Sequence, residues 1–174
     1  IYSQRLQYRE VEIRMSKFLK RSAQGAGVPH EKRTAGLETV AMPLPSKIVQ
    51  SMNSHIGAPA APVVAKGDLA YVGTEVGKEG GFVSSDIHSG VSGTVAEIST
   101  MVGSNGSTQT TVVITPDGEQ KVDPSIAPPQ VTDFKSFTDA IRASGLVGLG
   151  RAGFPTAVTL SPTNLAEIDT LLLN

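Results

Sequence analysis

Cysteine and tryptophan are absent from the 174 residues, and aromatic residues make up only 5%. Without cysteine, the segment cannot form a disulfide, a cysteine-ligated zinc site or an iron–sulfur cluster from its own side chains. No apolar run approaches the about 20 residues that a membrane-spanning helix needs. These absences are typical of a cytoplasmic protein that is not directly inserted into a membrane.

A strong charge of either sign is also missing. Fifteen Lys and Arg residues face 16 Asp and Glu residues, which gives a net charge of −1 and no electrostatic reason to expect nucleic-acid binding. The 39% hydrophobic and 18% charged residues are typical of a globular protein. Eighteen glycines and 11 prolines favour many turns and short strands. We expect an α+β chain that is mainly β.

The first 36 residues form a polar, glycine-containing N-terminal arm in this interpretation. Residues 1–14 run into Met15, and the string that begins there resembles a natural protein start. We interpret residues 1–14 as upstream or vector-derived sequence that is partly non-native. The alternative is a native amphipathic helix, although the apolar residues of this stretch are poorly periodic.

Short apolar segments separated by glycine and proline turns continue from residue 37 to residue 130. This rhythm predicts a small barrel or sandwich domain with those bounds. The segments read as extended or as strands with their turns are Thr39–Leu44, Lys47–Gln50, Ser54–Val64, Lys66–Gly77, Gly81–Ser85, Ile87–Ile98 and Thr110–Thr115.

Two strings in this region resemble the barrel-sandwich hybrid of biotinyl and lipoyl carrier domains. They are Gly67-Asp68 with Gly73, and the string from Ser92 to Ile98. Carriers present a lysine on an exposed hairpin between these strings, which here falls near Phe82. No lysine lies there, so a swinging-arm carrier is disfavoured.

Candidate catalytic and metal-binding side chains are few. His55 and His88 have no acidic or cysteine companion at ligand spacing, which favours turn-stabilising or surface roles. Asp68 and Glu75 read as turn and surface residues. We find no catalytic constellation and predict no metal site.

A turn-rich linker or excursion over residues 116–129 precedes a predicted helix. Thr132 or Asp133 can cap its first turn, and Gly145 ends it at the C′ position. Phe134, Phe137, Ala140 and Ile141 form one apolar stripe at helical spacing, which predicts a core-facing surface.

The helix leads into a glycine-rich loop in which Gly148, Gly150 and Gly153 follow a G-x-G-x-x-G spacing. Such glycines allow a close backbone approach to a phosphate or a flat ring. The spacing alone is a weak signal, and Pro155 and Pro162 disfavour the helix that an ordinary dinucleotide fingerprint requires.

The longer string from Gly148 to Thr156 resembles the G-x-G-G-A-G-F-P-T loop of the flavin-binding subunit of respiratory NADH dehydrogenase. It also resembles the loop of the RnfC family, which belongs to the Rnf electron-transport complex. In that family H-I-G-A-P and G-F-V-S strings precede the loop, as they do here at His55 and Gly81. The resemblance covers roughly residues 25–174.

This resemblance implies that residues 131–174 begin an α/β Rossmann-like flavin and NADH-binding domain, with Ile168–Leu173 as a buried parallel strand. The segment would then be a fragment cut early in that domain. It also implies FMN and NAD(H) as cofactors, with [4Fe-4S] clusters in a further C-terminal part. The flavin-binding positions carried over are Gly148, Gly150, Arg151, Gly153, Phe154, Pro155, Thr156 and Asn174.

The implied function is an NADH-linked electron-transfer subunit whose partners are NADH, other subunits of a complex and, indirectly, ferredoxin. Its location would be cytoplasmic, peripheral at the inner face of the cell membrane. The whole protein would be an oxidoreductase subunit, and this fragment would be inactive alone.

Two departures leave alternatives open. Arg151 replaces the family's glycine, and Thr159 replaces a phosphate-contacting lysine. If the loop is degenerate, the chain is a non-catalytic docking or scaffold module. A soluble relative, such as a cobalamin reductase subunit, is a further alternative, although the order of barrel and loop favours the Rnf type.

Overall fold

The computed structural model describes residues 31–170, so the interpretations of residues 1–30 and of Leu171–Asn174 lie outside the described residues. The chain divides into two compact units, and the boundary lies between Met42 and Pro43. In the first unit, residues 31–42 form a turn and no strand. Thr39–Leu44, predicted to be extended, takes part in no sheet. The domain boundary between residues 130 and 131 stays a prediction.

Seven short strands in the second unit form two antiparallel sheets. The larger sheet has the order β1-β7-β6-β3, and the smaller has the order β2-β4-β5. The strands are β1 (Ile48–Ser51), β2 (Ala61–Pro62), β3 (Leu69–Ala70), β4 (Glu75–Lys78), β5 (Ile87–His88), β6 (Gly93–Val102) and β7 (Thr108–Pro116).

The long hairpin of β6 and β7 is the framework of the larger sheet. Its register runs from Gly93 opposite Pro116 to Val102 opposite Thr108, with one irregularity between Val95 and Glu97. β7 lies between β1 and β6, and four consecutive residues of it are buried. These residues are β-branched, which suits a central strand.

Both sheets contribute to one apolar core, which confirms the prediction of a small barrel or sandwich. The buried cluster comprises Met52, Ala60, Ala70, Val76, Ile87, Val91, Val95, Val112 and Ile114.

The predicted strand over Gly81–Ser85 is wrong, because this segment forms bends and no ladder pairing. It is attached to the neighbouring turn by individual hydrogen bonds. The Ser84 hydroxyl donates to the Ala58 carbonyl at 2.8 Å and accepts from the Gly80 N–H at 2.9 Å. The Ala58 N–H in turn donates to the Val83 carbonyl at 2.9 Å.

The predicted linker packs along the barrel. The Val72 N–H donates to the Lys121 carbonyl at 2.8 Å, and the Asp123 N–H donates to the Val72 carbonyl at 3.0 Å. The Thr74 hydroxyl also donates to the Asp123 carboxylate at 2.6 Å. The turn residues of this segment therefore shape a strap that is bonded to residues flanking β3 and β4.

The predicted helix is confirmed as α1 (Phe134–Ala143). Asp133 caps it in a capping box with Ser136, and Gly145 follows the C-cap with a φ of +68°. The prediction that its apolar stripe faces the core is wrong: α1 has no buried residue, and Phe134 and Phe137 are 40% and 37% exposed. Amphipathic spacing defines an apolar face but not its cover.

After α1 come β8 (Val147–Gly148), β9 (Phe154–Pro155) and the one-turn helix α2 (Thr156–Thr159). The buried strand predicted from Ile168 is wrong for residues 168–170, which form no strand. Ile168 is 48% exposed, because no neighbouring strand pairs with this segment in the described part of the chain. Between residues 31 and 170, no helix has the length and apolar character to cross a membrane.

Core packing gives the first testable prediction. Ile114 is fully buried in β7, whereas Val49 on β1 is largely exposed. Ile114→Ala should lower the free energy of unfolding by about 2–5 kcal/mol, because it removes transfer energy and leaves a cavity. Val49→Ala, the matched control, should change it by less than about 0.5 kcal/mol. Denaturant unfolding of the two variants checks this, and equal losses would contradict the core assignment.

The strap gives a prediction about acid. Hydrogen bonds from Ser125 and Thr74 lower the pKa of Asp123 below its ordinary value of 3.8. The resulting stabilisation is complete above pH 3.8 and is lost as the pH falls through the lower pKa of the folded state. Asp123→Asn should therefore remove part of the acid dependence of unfolding, as measured by denaturation between about pH 2 and 6. An unchanged pH profile would count against this anchor.

Candidate functional site

The Gly loop, residues 146–156, is a small closed structure. Val147 pairs with Pro155 and Gly148 with Phe154 in the two-residue hairpin of β8 and β9. Between them, Leu149–Arg151 form one turn of 3-10 helix. The Gly153 N–H closes the loop by donating to the Gly148 carbonyl at 3.1 Å. The loop conformation is thus fixed by its own backbone bonds.

The three glycines of the spacing have different surroundings. A Cβ at Gly150 would meet no atom within 4 Å, and one at Gly148 would meet the Arg151 Cβ at 3.6 Å. A Cβ at Gly153 would lie 3.1 Å from the His55 Cα and 3.2 Å from the Ser54 carbonyl oxygen. Gly150 is therefore open, Gly148 is in ordinary contact with the Arg151 side chain, and Gly153 packs against the barrel.

Gly145 marks a second close approach between loop and barrel. A Cβ there would lie 2.4 Å from the Asp86 carbonyl oxygen and 3.0 Å from the His88 Nδ1 atom. Sequence reasoning identifies Gly145 only as the end of a helix. Its positive φ is predictable from the C′ position, but the contact with residue 86 depends on the tertiary fold.

The part of the barrel that contacts Gly153 is the His55 turn, residues 54–57. His55 is only 7% exposed. Its Nε2 atom accepts from the Ser85 N–H at 3.3 Å, and its Nδ1 atom lies 3.2 Å from the Ile56 carbonyl oxygen. Both contacts are satisfied by the neutral tautomer protonated at Nδ1. His55 therefore stabilises a turn, one of the two roles expected for it.

A polar cleft of about 270 Å³ adjoins the loop. His88 is half-buried and shares this cleft with His55, which the separation of the two in sequence did not predict. In residues 31–170, no three histidine or acidic side chains are grouped so that they could hold a metal ion. The cleft is lined by Gln50, Ser54, His55, Ser85, Asp86, Ile87, His88, Ser144, Gly145 and Val147.

Charged side chains connect α1 to the barrel beside the cleft. The buried Asp86 carboxylate accepts from the Lys78 ammonium at 2.8 Å and from the Glu79 N–H at 2.9 Å. The hydrogen bond to Asp86 raises the pKa of Lys78. Glu79 also accepts from the Arg142 guanidinium of α1 at 2.6 Å, and this guanidinium lies 5.9 Å from the centre of the Phe82 ring.

The structure brings seven of the eight sequence-predicted site residues into the Gly loop. Arg151 is the only charged residue of this loop, and its guanidinium lies 6.0 Å from the centre of the Phe154 ring. Thr159, where the resembling families have lysine, is exposed at the end of α2. The seven are Gly148, Gly150, Arg151, Gly153, Phe154, Pro155 and Thr156, and Asn174 lies outside the described residues.

The contrast between open and packed glycines can be tested by stability. Gly145→Ala should lower the free energy of unfolding by more than about 1 kcal/mol, because the added methyl group meets the Asp86 carbonyl and the positive φ is unfavourable for alanine. Gly150→Ala should change it by less than about 0.5 kcal/mol. Denaturant unfolding measures both, and equal effects would refute the distinction.

Comparison with known proteins gives a domain match and several relatives. The family model of the RnfC barrel-sandwich hybrid domain matches residues 20–119, more than half of the chain. The C subunit of the Na⁺-translocating ferredoxin:NAD⁺ oxidoreductase complex of Acetobacterium woodii is 38% identical over 133 residues, which are 75% of this chain and 30% of that relative.

Two further relatives are similar over a longer stretch. The C subunit of the ion-translocating oxidoreductase complex of Rhodobacter capsulatus is 34% identical over 149 residues, which are 83% of this chain and 29% of the relative. The C subunit of the proton-translocating ferredoxin:NAD⁺ oxidoreductase complex of Clostridium ljungdahlii is 33% identical over 147 residues, which are 83% and 32% of the two chains. The chain thus spans less than a third of each relative. These matches confirm the predicted barrel-sandwich hybrid and show that the chain belongs to the RnfC family.

Proposed function

We propose that this chain is part of an electron-transfer subunit that passes electrons between NAD(H), FMN and iron–sulfur clusters. The observation on which the proposal depends is the Gly loop: its backbone is closed, Gly153 packs on the barrel, and Gly150 is left open. The sequence of this loop resembles flavin-binding loops, which supports the proposal.

The residues present fit the phosphate-bearing side of a flavin mononucleotide in two respects. No atom lies within 4 Å of the Cβ position of Gly150, so a ligand can approach the backbone there. Arg151 presents an exposed guanidinium one residue further on, and guanidinium groups bind phosphate through paired N–H donors. In this chain Arg151 therefore supplies the positive charge that Thr159 does not.

Each part of the loop has a separate task in this proposal. Gly150 would admit the ligand to the backbone, Arg151 would hold its phosphate, and Gly148 with the Phe154–Thr156 segment would line the site. Bound FMN would supply hydride acceptance from NADH and release of single electrons. The protein would contribute position and charge.

The partners follow from the names of the relatives. The C subunits of ferredoxin:NAD⁺ oxidoreductase complexes are the proteins that this chain is similar to. We therefore propose other subunits of such a complex, NADH and, indirectly, ferredoxin as partners, and a peripheral location at the cytoplasmic face of the membrane. Because the 174 residues contain no cysteine, [4Fe-4S] clusters would be held outside this segment.

A docking module is the second candidate. Arg151 and Thr159 both depart from the family's loop pattern, and the aromatic side chains of Phe134 and Phe137 remain partly exposed on α1. A degenerate loop on a barrel with an exposed apolar helix face would bind a protein partner and no flavin.

Titration with FMN, followed by quenching of flavin fluorescence, separates the two candidates. It should be performed on the 174 residues and on the full-length natural protein. Saturable binding by the full-length protein is expected. Gly150→Trp should weaken it by at least tenfold, because the indole fills the open approach, whereas Gly90→Trp at an equally open barrel position should not.

A separate pair of variants tests whether the charge of Arg151 contributes to FMN binding. Arg151→Gln should weaken FMN binding about tenfold, since it removes a charge-assisted hydrogen bond, and Arg151→Lys should restore most of the affinity. Absence of saturable binding in both forms of the protein would refute the flavin assignment and favour the docking module.

A further inference from the structure

Besides its own backbone bonds, the Gly loop has a contact with the barrel at Gly153, the residue that closes it. The Ile56 N–H of the His55 turn points to the Gly153 carbonyl at 3.4 Å. The His55 Cα lies against the position that a Gly153 side chain would occupy. Gly153 also donates to the Gly148 carbonyl, so its position sets the spacing across the open part of the loop.

The His55 turn is in turn fixed by buried contacts. The His55 ring joins it to the Ser85 N–H on one side. On the other side, the Gly57 backbone approaches Val83 so closely that a Cβ would lie 2.0 Å from the Val83 carbonyl oxygen. Ser85 and Val83 belong to the segment that precedes β5. The imidazole therefore links that segment to the turn that touches the loop, next to the hydrogen bond from the Ser84 hydroxyl to the Ala58 carbonyl.

We propose that His55 is a positioning residue for the Gly loop. Its buried ring holds the His55 turn against Ser85, and the turn holds Gly153, which keeps the loop closed with Gly150 open to a ligand. The ligand half of this statement rests on the proposed function, whereas the conformational half rests on the contacts alone. The barrel is then a structural part of the loop's binding site.

Two substitutions separate positioning from general packing. His55→Leu fills similar space but cannot accept from the Ser85 N–H. His55→Gln can place its side-chain oxygen near the position of Nε2 and keep that hydrogen bond. Ser89→Ala is the matched control, because it also removes a buried side-chain hydrogen bond of the barrel, to the Val91 carbonyl, at a residue that does not line the cleft.

Amide hydrogen exchange of the full-length protein gives a readout that needs no ligand. In His55→Leu, exchange at Ile56, Gly153 and Thr156 should rise at least tenfold, while exchange in β6 and β7 is unchanged. His55→Gln should restore most of the protection, and Ser89→Ala should leave these amides as they are. Unchanged protection of Gly153 in His55→Leu would overturn the proposal.

FMN affinity provides the second readout on the same variants. His55→Leu should weaken binding about tenfold and His55→Gln by less than threefold. Equal affinity in wild type and His55→Leu would overturn the ligand half of the proposal. If the wild type binds no FMN but loop exchange still rises in His55→Leu, the proposed function fails and the positioning role of His55 stands. If His55→Leu does not fold, loss of loop protection in His55→Gln relative to Ser89→Ala would contradict the proposal.

Discussion

Backbone-to-backbone contact at Gly145 and Gly153 is the constraint on which the site depends. The Asp86 carbonyl oxygen lies 2.4 Å from the position that a Gly145 side chain would take. At Gly153 the nearest barrel backbone atoms lie 3.1 and 3.2 Å from that position, and both glycines have a positive φ. A side chain would push the chain away from the barrel at either end of the loop. The residues between these glycines are held at both ends, so a loop with few side-chain contacts keeps one shape.

Asp86 connects these contacts to the rest of the fold. Its backbone carbonyl faces Gly145, while its buried carboxylate binds Lys78 and the Glu79 N–H. A buried carboxylate is costly unless it is fully hydrogen-bonded, so these partners are required for the segment to fold as it does. The half-exposed Lys78 contributes less than its short distance suggests, because solvent screens it. Glu79 then extends the network to Arg142 on α1.

Local features of the fold are predictable from the sequence, and contacts between distant segments are not. Asp133 and Gly145 bound the helix as expected, because capping depends on neighbours in the chain. The sequence of the strap shows only turn signals. The bond that attaches it to the barrel, between Thr74 and Asp123, joins residues 49 positions apart and has no local signal. The stripe of α1 resembles a core face, because periodicity reports which face is apolar and not whether another surface covers it. For the same reason, the sequence does not predict the contact between His55 and Gly153.

The two kinds of glycine also explain how the loop can depart from its family pattern and keep its conformation. Arg151 lies in the open part, where no atom surrounds the Cβ position of neighbouring Gly150. The Arg151 side chain is exposed and leaves the closing bond from Gly153 to Gly148 intact. The replacement therefore alters the surface of the loop rather than its fold. A substitution at Gly153 would instead act on the fold, because the barrel backbone lies against that position.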